Sequence, residues 1–144
     1  MNKILVPVDP ADPARTREAL QTAVRIYAQG PVDVHLLSVQ PLLTRHVAMF
    51  FGGIELQNLQ HAAGDDDLAA ARETLAHQNV PCSSSVRIGR SAETIARTAR
   101  ELGCDRIVMG PDGVARLADK VFGTLAQQVR HLLGATGDCQ VIGS

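Results

Sequence analysis

Residues 107–124 read Ile107-Val-Met-Gly-Pro-Asp-Gly-Val-Ala-Arg-Leu-Ala-Asp-Lys-Val-Phe-Gly-Thr124. The stretch opens as an apolar run suited to a buried parallel strand. It breaks at Gly110 and turns through Gly113. At Gly123-Thr124 it gives way to Leu125–Leu133, whose apolar residues recur at helical spacing. A strand, a glycine-punctuated loop and a helix start form a natural anion site. Unpaired backbone N–H groups and the positive end of a helix dipole meet there. Glycine lets the backbone approach a phosphate that a Cβ would hold away. The spacing Gly110-x2-Gly113-x9-Gly123-Thr124 is neither a Walker A loop nor the dinucleotide pattern GxGxxG.

Outward from this stretch, strand and helix patterns alternate. Lys3–Val8 reads as a buried strand with Asp9 at its carboxyl end. Asp12-Pro13 has the form of an N-cap followed by proline at the first helical position. Leu20, Ala23, Val24 and Tyr27 give that helix an apolar face, and Gly30-Pro31 ends it. Val32–Val39 is the second strand. From Gln40 to about Gly64 there is no clean period, and either a long functional loop or a short packed helical turn fits. Asp65-Asp66-Asp67 then reads as the first turn of a helix continuing to Gln78, with three carboxylates suiting its dipole. Val80–Ile88 alternates between an apolar and a polar face, which predicts an edge strand. Ser91 is the expected cap of a helix with Ala92, Ile95, Ala96, Ala99 and Leu102 as its stripe, and Gly103 its stop. Asp105–Gly110 is the fourth strand and Cys139–Ile142 the fifth. The alternation predicts an α/β fold on a parallel sheet, one domain over residues 1–144.

Composition narrows the function classes. Hydrophobic residues make up 45% of the chain, enough for a packed core, but only 3% are aromatic, so the core is aliphatic. A formal net charge of −1 lacks the basic excess that nucleic-acid or anionic-membrane binding needs. No apolar run has the length of a membrane span. The chain enters its first strand without a signal-peptide layout, so a cytoplasmic protein is expected. Cys82, Cys104 and Cys139 form no CxxC and complete no zinc pattern, so free buried thiols are expected. The histidines are scattered, and His35, inside the second strand, reads as a hydrogen-bonded structural residue. No serine or cysteine sits in a nucleophile motif. No catalytic set emerges, and any hydrolytic activity is expected to be slow and incidental.

The loop spacing resembles the nucleotide loop of the universal stress protein family, G-x2-G-x9-G-[ST]. Lys3-Ile-Leu-Val-Pro-Val-Asp9 resembles that family's first strand and its aspartate, and Cys104-Asp-Arg-Ile-Val-Met-Gly110 its fourth strand. The resemblance covers nearly the whole chain, strongest over residues 3–39 and 91–134 and weak over 40–64. It implies a flavodoxin-like, adenine-nucleotide α-hydrolase-like three-layer fold with five parallel strands in the order 3-2-1-4-5. That order puts a topological switch point between strands 1 and 4, where ligands of open α/β sheets bind.

The resemblance implies an adenine nucleotide there, ATP, ADP or AMP. Asp9 is then the ribose or adenine acceptor, although a turn or capping role also fits it. Pro7 and Val8 shape the strand exit, Val39 faces adenine, and Met109 and Gly110 lie along the ribose. Gly113, Gly123 and Thr124 cradle phosphates, although turn geometry alone accounts for any one of the glycines. Arg116 and Lys120 read as surface charges within reach of the loop. Asp112 departs from expectation, because a carboxylate repels phosphates unless it helps hold Mg²⁺.

The resemblance also implies a homodimer through the fifth strand, here short and polar, with Val47–Phe51 as a second apolar contact. The preferred reading is a stress-response regulator that binds nucleotide. The alternative is a dimeric module of the same fold that binds no nucleotide and regulates a partner protein. An enzyme of the related adenine-handling superfamily is a third reading, and it lacks a residue suited to attack or activate at the α-phosphate.

Overall fold

The computed structural model describes residues 2–41, 52–110, 124–134 and 139–143. Its elements are β1 (Asn2–Val8), α1 (Pro13–Gln29), β2 (Val32–Gln40), α2 (Gly53–His77), β3 (Cys82–Ile88), α3 (Ser91–Leu102), β4 (Arg106–Val108), α4 (Leu125–Leu133) and β5 (Gln140–Ile142). The five strands are parallel and ordered β3-β2-β1-β4-β5. This is the three-layer order the sequence reading expects.

Side chains alternate across a strand, so β1 feeds two cores. Ile4, Val6 and Val8 point to a layer with Ala19, Leu20 and Ala23 of α1 and Leu68, Ala71 and Leu75 of α2. Leu5 points to the opposite layer, with Ile95, Ala96 and Ala99 of α3 and Ala126 and Val129 of α4. Both cores are aliphatic, as the composition requires.

Local signals worked where one residue decides a boundary. Asp12 caps α1 by accepting from the Arg15 N–H at 3.1 Å, with proline in the first turn. Gly103 closes α3 in the left-handed conformation, φ 69°. Two expectations are corrected. The N-cap of α3 is Arg90, not Ser91, and it makes no side-chain cap bond.

The larger correction concerns α2. It begins at Gly53 and runs 25 residues, so Asp65, Asp66 and Asp67 lie mid-helix rather than in a first turn. Gln60, Gly64, Leu68, Ala71 and Leu75 are its buried stripe, set three or four residues apart. Two of those five residues are glutamine and glycine, which weakens the apolar period and hides the first turns of the helix. The Gln60 side chain is satisfied by donating to the Pro41 carbonyl at 2.8 Å. The acidic run is solvated, as expected: Asp65 and Asp66 are exposed, and Asp65 pairs with Arg72 at 3.2 Å. The apolar 47–51 segment lies outside the described residues.

The edge position expected for the third strand is observed. Its polar face has a specific use. His35 of β2 is buried, and its two ring nitrogens lie 2.7 Å from Ser83 Oγ and 2.8 Å from Ser85 Oγ. A neutral imidazole offers one donor and one acceptor, and two rotatable hydroxyls satisfy both. Burial, reinforced by the positive charges of Lys3 and Arg87, holds the His35 pKa below its ordinary 6.5. The unfolded chain therefore binds a proton that the folded chain refuses between that lowered value and 6.5. The His35 contribution is fully present above pH 6.5 and is lost as pH falls through the folded value. The urea midpoint is expected to drop between pH 7.5 and 5.5, and His35→Gln to flatten that slope. An unchanged slope in the variant would show that other groups carry the pH dependence.

Candidate functional site

Continuation of the β1–β4 register, in which Leu5 is opposite Ile107, places Pro7 beside Met109 and Val8 beside Gly110. The carboxyl ends of the two strands therefore meet, about a hundred residues apart in sequence. Pro7, Asp9, Arg15, Thr16, Met109, Gly110 and Leu125 line a small cleft there. Four of the predicted site residues, Pro7, Asp9, Met109 and Gly110, come together in it. Thr124 immediately precedes Leu125.

Other predicted residues fall elsewhere. Val8 points to the opposite layer and lines a groove of about 390 Å³ between α1 and α2. Val39 packs at the margin of the second core and is not among the residues lining the cleft. Gly113, Gly123 and Asp112 lie outside the described residues, as do Arg116 and Lys120. No group of three or more His, Cys, Asp or Glu side chains able to hold a metal occurs among the described residues.

The local chemistry of Asp9 ties the strand end to α1. Its N–H donates to Thr16 Oγ1 at 2.9 Å, and the Thr16 hydroxyl donates back to the Asp9 carbonyl at 3.1 Å. Asp9 Oδ1 accepts from the Ala11 N–H at 3.0 Å, the two-residue turn that aspartate favours. The turn role considered for Asp9 is thus realised by one carboxylate oxygen.

Thr124 likewise has a local role. It caps α4 by accepting from the Gln127 N–H at 3.1 Å, while the Gln127 side chain accepts from the Thr124 N–H at 3.0 Å. This capping box uses an oxygen lone pair and leaves the hydroxyl proton to donate.

Gly110 has a structural reason of its own. A Cβ there would overlap the backbone carbonyl of Arg15, so the first turn of α1 rests directly on the end of β4. Arg15 also donates from Nε to the Gly110 carbonyl at 2.9 Å. Arg15 and Thr16 were not among the residues singled out in the sequence. The signal available was weak: a cation in a helix's first turn, against the dipole, with a hydroxyl residue beside it.

The thiols are poorly placed for nucleophilic chemistry. Burial pushes Cys104 up to about 11 and raises Cys82 and Cys139, so all three are protonated at neutral pH. All are free, with Cys104 buried and the other two half-buried rather than fully enclosed. No helix among the described residues is long and apolar enough to cross a membrane.

The model of the universal stress protein family matches residues 1–133. Universal stress protein Sll1388 of Synechocystis is 26% identical over 141 residues, covering 90% of each chain. The structure of UspA from Lactobacillus plantarum superposes with a TM-score of 0.73 at 24% identity, covering 99% of this chain and 96% of that one. A universal stress protein from Archaeoglobus fulgidus, solved in complex with dAMP, superposes with a TM-score of 0.62 at 20% identity. That alignment covers 99% of this chain and 97% of the other.

Proposed function

The chain belongs to the universal stress protein family, and from that premise we propose that it binds an adenine nucleotide at the β1/β4 switch point and acts as a regulator. The observation that carries the reading is the meeting of Asp9 and Gly110 at the carboxyl ends of β1 and β4, the position where open α/β sheets bind ligands. The N-terminus of α4, capped by Thr124, follows the glycine-spaced loop and suits phosphate. The dAMP complex of the Archaeoglobus relative supports an adenine ligand in this fold.

In this proposal Asp9 holds the ribose or the base, Pro7 and Val8 shape the strand exit, and Met109 and Gly110 flank the sugar. Val39 borders adenine, while Gly113, Gly123 and Thr124 cradle phosphates. The ligand is ATP, ADP or AMP, with Asp112 a candidate partner of Mg²⁺. The protein is read as one domain over residues 1–144, acting in the cytoplasm as a homodimer and, through it, on a partner protein. Light scattering at tens of micromolar tests the dimer, and a monomer there sinks that part.

Calorimetry with Mg-ATP and AMP is expected to show micromolar binding, on the order of −8 kcal/mol. Gly123→Val is expected to abolish it while leaving the thermal transition in place. Absence of heat and of thermal shift with millimolar ATP would reject the nucleotide reading. The second reading, an interaction module that binds no nucleotide, would then stand. One observation favours it: the part of the cleft lined by described residues has about 20 Å³ of free room, about one water molecule.

A further inference from the structure

β5 ends the sheet, and among the described residues no strand lies beyond it. Its pairing with β4 shows which groups face outward. The Gln140 N–H donates to the Asp105 carbonyl, and the Ile142 carbonyl accepts from the Met109 N–H, so the main-chain groups of Gln140 and Ile142 face β4. Main-chain groups alternate in direction along a strand, which turns the N–H and carbonyl of Val141 to the outer edge.

Arg130 closes that edge. It lies in the last turn of α4, and its Nη2 donates to the Val141 carbonyl at 3.2 Å and to the Gly143 carbonyl at 2.5 Å. A positive charge in a last turn suits the helix dipole, but the dipole does not account for the reach of this side chain to another element. The bonds also depart from strand geometry. Two residues of a strand advance about 6.6 Å, and two oxygens bonded to one nitrogen at these distances are closer together than that. Gly143 supplies the bend with φ 120°, a conformation that residues with a Cβ rarely adopt. The guanidinium thus holds the end of the edge out of pairing geometry.

The occupant that such an edge fits is β5 of a second copy of this chain. An antiparallel pair about a two-fold axis uses the same donors and acceptors on both copies and closes at two chains. A pair centred on Val141 needs the Val141 carbonyl for its central bonds, and the incoming N–H has to compete with Arg130 Nη2 for it.

We infer that Arg130 is an intramolecular lock on the β5 edge: it occupies, from within the chain, the carbonyls that β5 of a second chain would use. Unpaired edges invite indiscriminate strand addition, and a charged side chain laid along the edge suppresses it. The inference rests on the homodimer reading above for the identity of the partner, and it deepens that reading by making strand pairing conditional on release of Arg130.

The test compares self-association of the full chain, by analytical ultracentrifugation, in wild type and Arg130→Met. That variant keeps the aliphatic stem and removes the donors. Its dimer dissociation constant is expected to be lower by about tenfold or more, the scale of hydrogen bonds that no longer have to be broken. Adding Val141→Pro removes an N–H that faces the outer edge, a change that edge strands accommodate, and is expected to return association to the wild-type level or below. Equal association of wild type and Arg130→Met, whether both are monomers or both dimers, overturns the lock. Weaker association in Arg130→Met overturns it as well and makes Arg130 a prop of the interface. A gain that survives Val141→Pro also overturns it, because the contact then lies elsewhere. If wild type is monomeric at tens of micromolar while Arg130→Met dimerises, the homodimer reading fails and the lock stands.

A second measurement needs no variant. In dilute wild type carrying ¹⁵N-arginine, the bonds to Val141 and Gly143 are expected to restrain the Arg130 guanidinium and give resolved Nη–H resonances. A freely rotating guanidinium overturns the lock.

Discussion

Gly110→Ala is expected to be strongly destabilising, although it adds a single methyl group. The new Cβ would overlap the Arg15 carbonyl, which is helix backbone and has no rotamer to escape into. Relief requires α1 to lift from the end of β4. That motion disturbs the reciprocal Asp9–Thr16 bonds and the Arg15–Gly110 bond. Core overpacking ordinarily costs about 1–3 kcal/mol, and an unyielding backbone contact belongs at the top of that range or beyond it. The measurement is urea unfolding followed by circular dichroism, with an expected loss of about 3 kcal/mol. A loss under about 0.5 kcal/mol, the size of an ordinary surface change, would mean that α1 does not rest on β4 as described. The same variant separates two reasons for a glycine at this position. If stability is lost, close packing requires it, whatever the ligand does.

Gly64→Val is the second large effect, and it is expected to be partly reversible. Gly64 is buried in α2 where the helix crosses the sheet, and a Cβ there would lie 2.5 Å from Val86 Cγ1 and 3.2 Å from Ser38 Oγ. Glycine inside a helix costs about 1 kcal/mol relative to alanine, so its presence here offsets a contact that no larger residue permits. The obstructing atoms belong to a β-branched side chain whose rotamers are restricted, so Val86 cannot simply turn away. Gly64→Val is expected to destabilise by about 3 kcal/mol. Val86→Ala in the same chain is expected to recover about half of that, because the blocking methyls are gone. Val86 contacts the first core, so Val86→Ala alone is expected to destabilise. The sign of the coupling is therefore diagnostic, and additive losses within about 0.5 kcal/mol would contradict the contact.

Both glycines illustrate what a single chain can and cannot reveal about its site. Gly110 stands out in sequence as part of a phosphate-loop spacing, and the cleft does contain it. Its closest neighbour, however, is the first turn of α1. A glycine required for approach by a helix and one required for approach by a phosphate are identical in sequence, because both need only the missing Cβ. Thr124 carries the same ambiguity, since the hydroxyl that suits a phosphate is also the one that makes the capping box with Gln127. Asp9 repeats it once more, as a strand-end carboxylate that also closes a turn onto Ala11.

The sequence by itself determined the succession of strands and helices, the aliphatic two-sided core and most cap residues. These depend on local geometry: Asp12 with Pro13, Gly30 and Gly103 act within one helical turn of themselves. It also determined the structural role of His35 in kind, because a lone histidine inside a buried strand must be hydrogen-bonded, although not its two serine partners on β3. Only the tertiary structure decided the length of α2, whose first turns bury Gln60 and Gly64 and so carry no apolar period. It alone placed Val8 and Pro7 in different layers, through the alternation of β1 between two cores. It alone brought Arg15 to Gly110, 95 positions away. The physical reason is the same in each case: strand order, register and helix crossing are set by contacts between distant segments, and residue spacing along the chain does not encode which surfaces those contacts join.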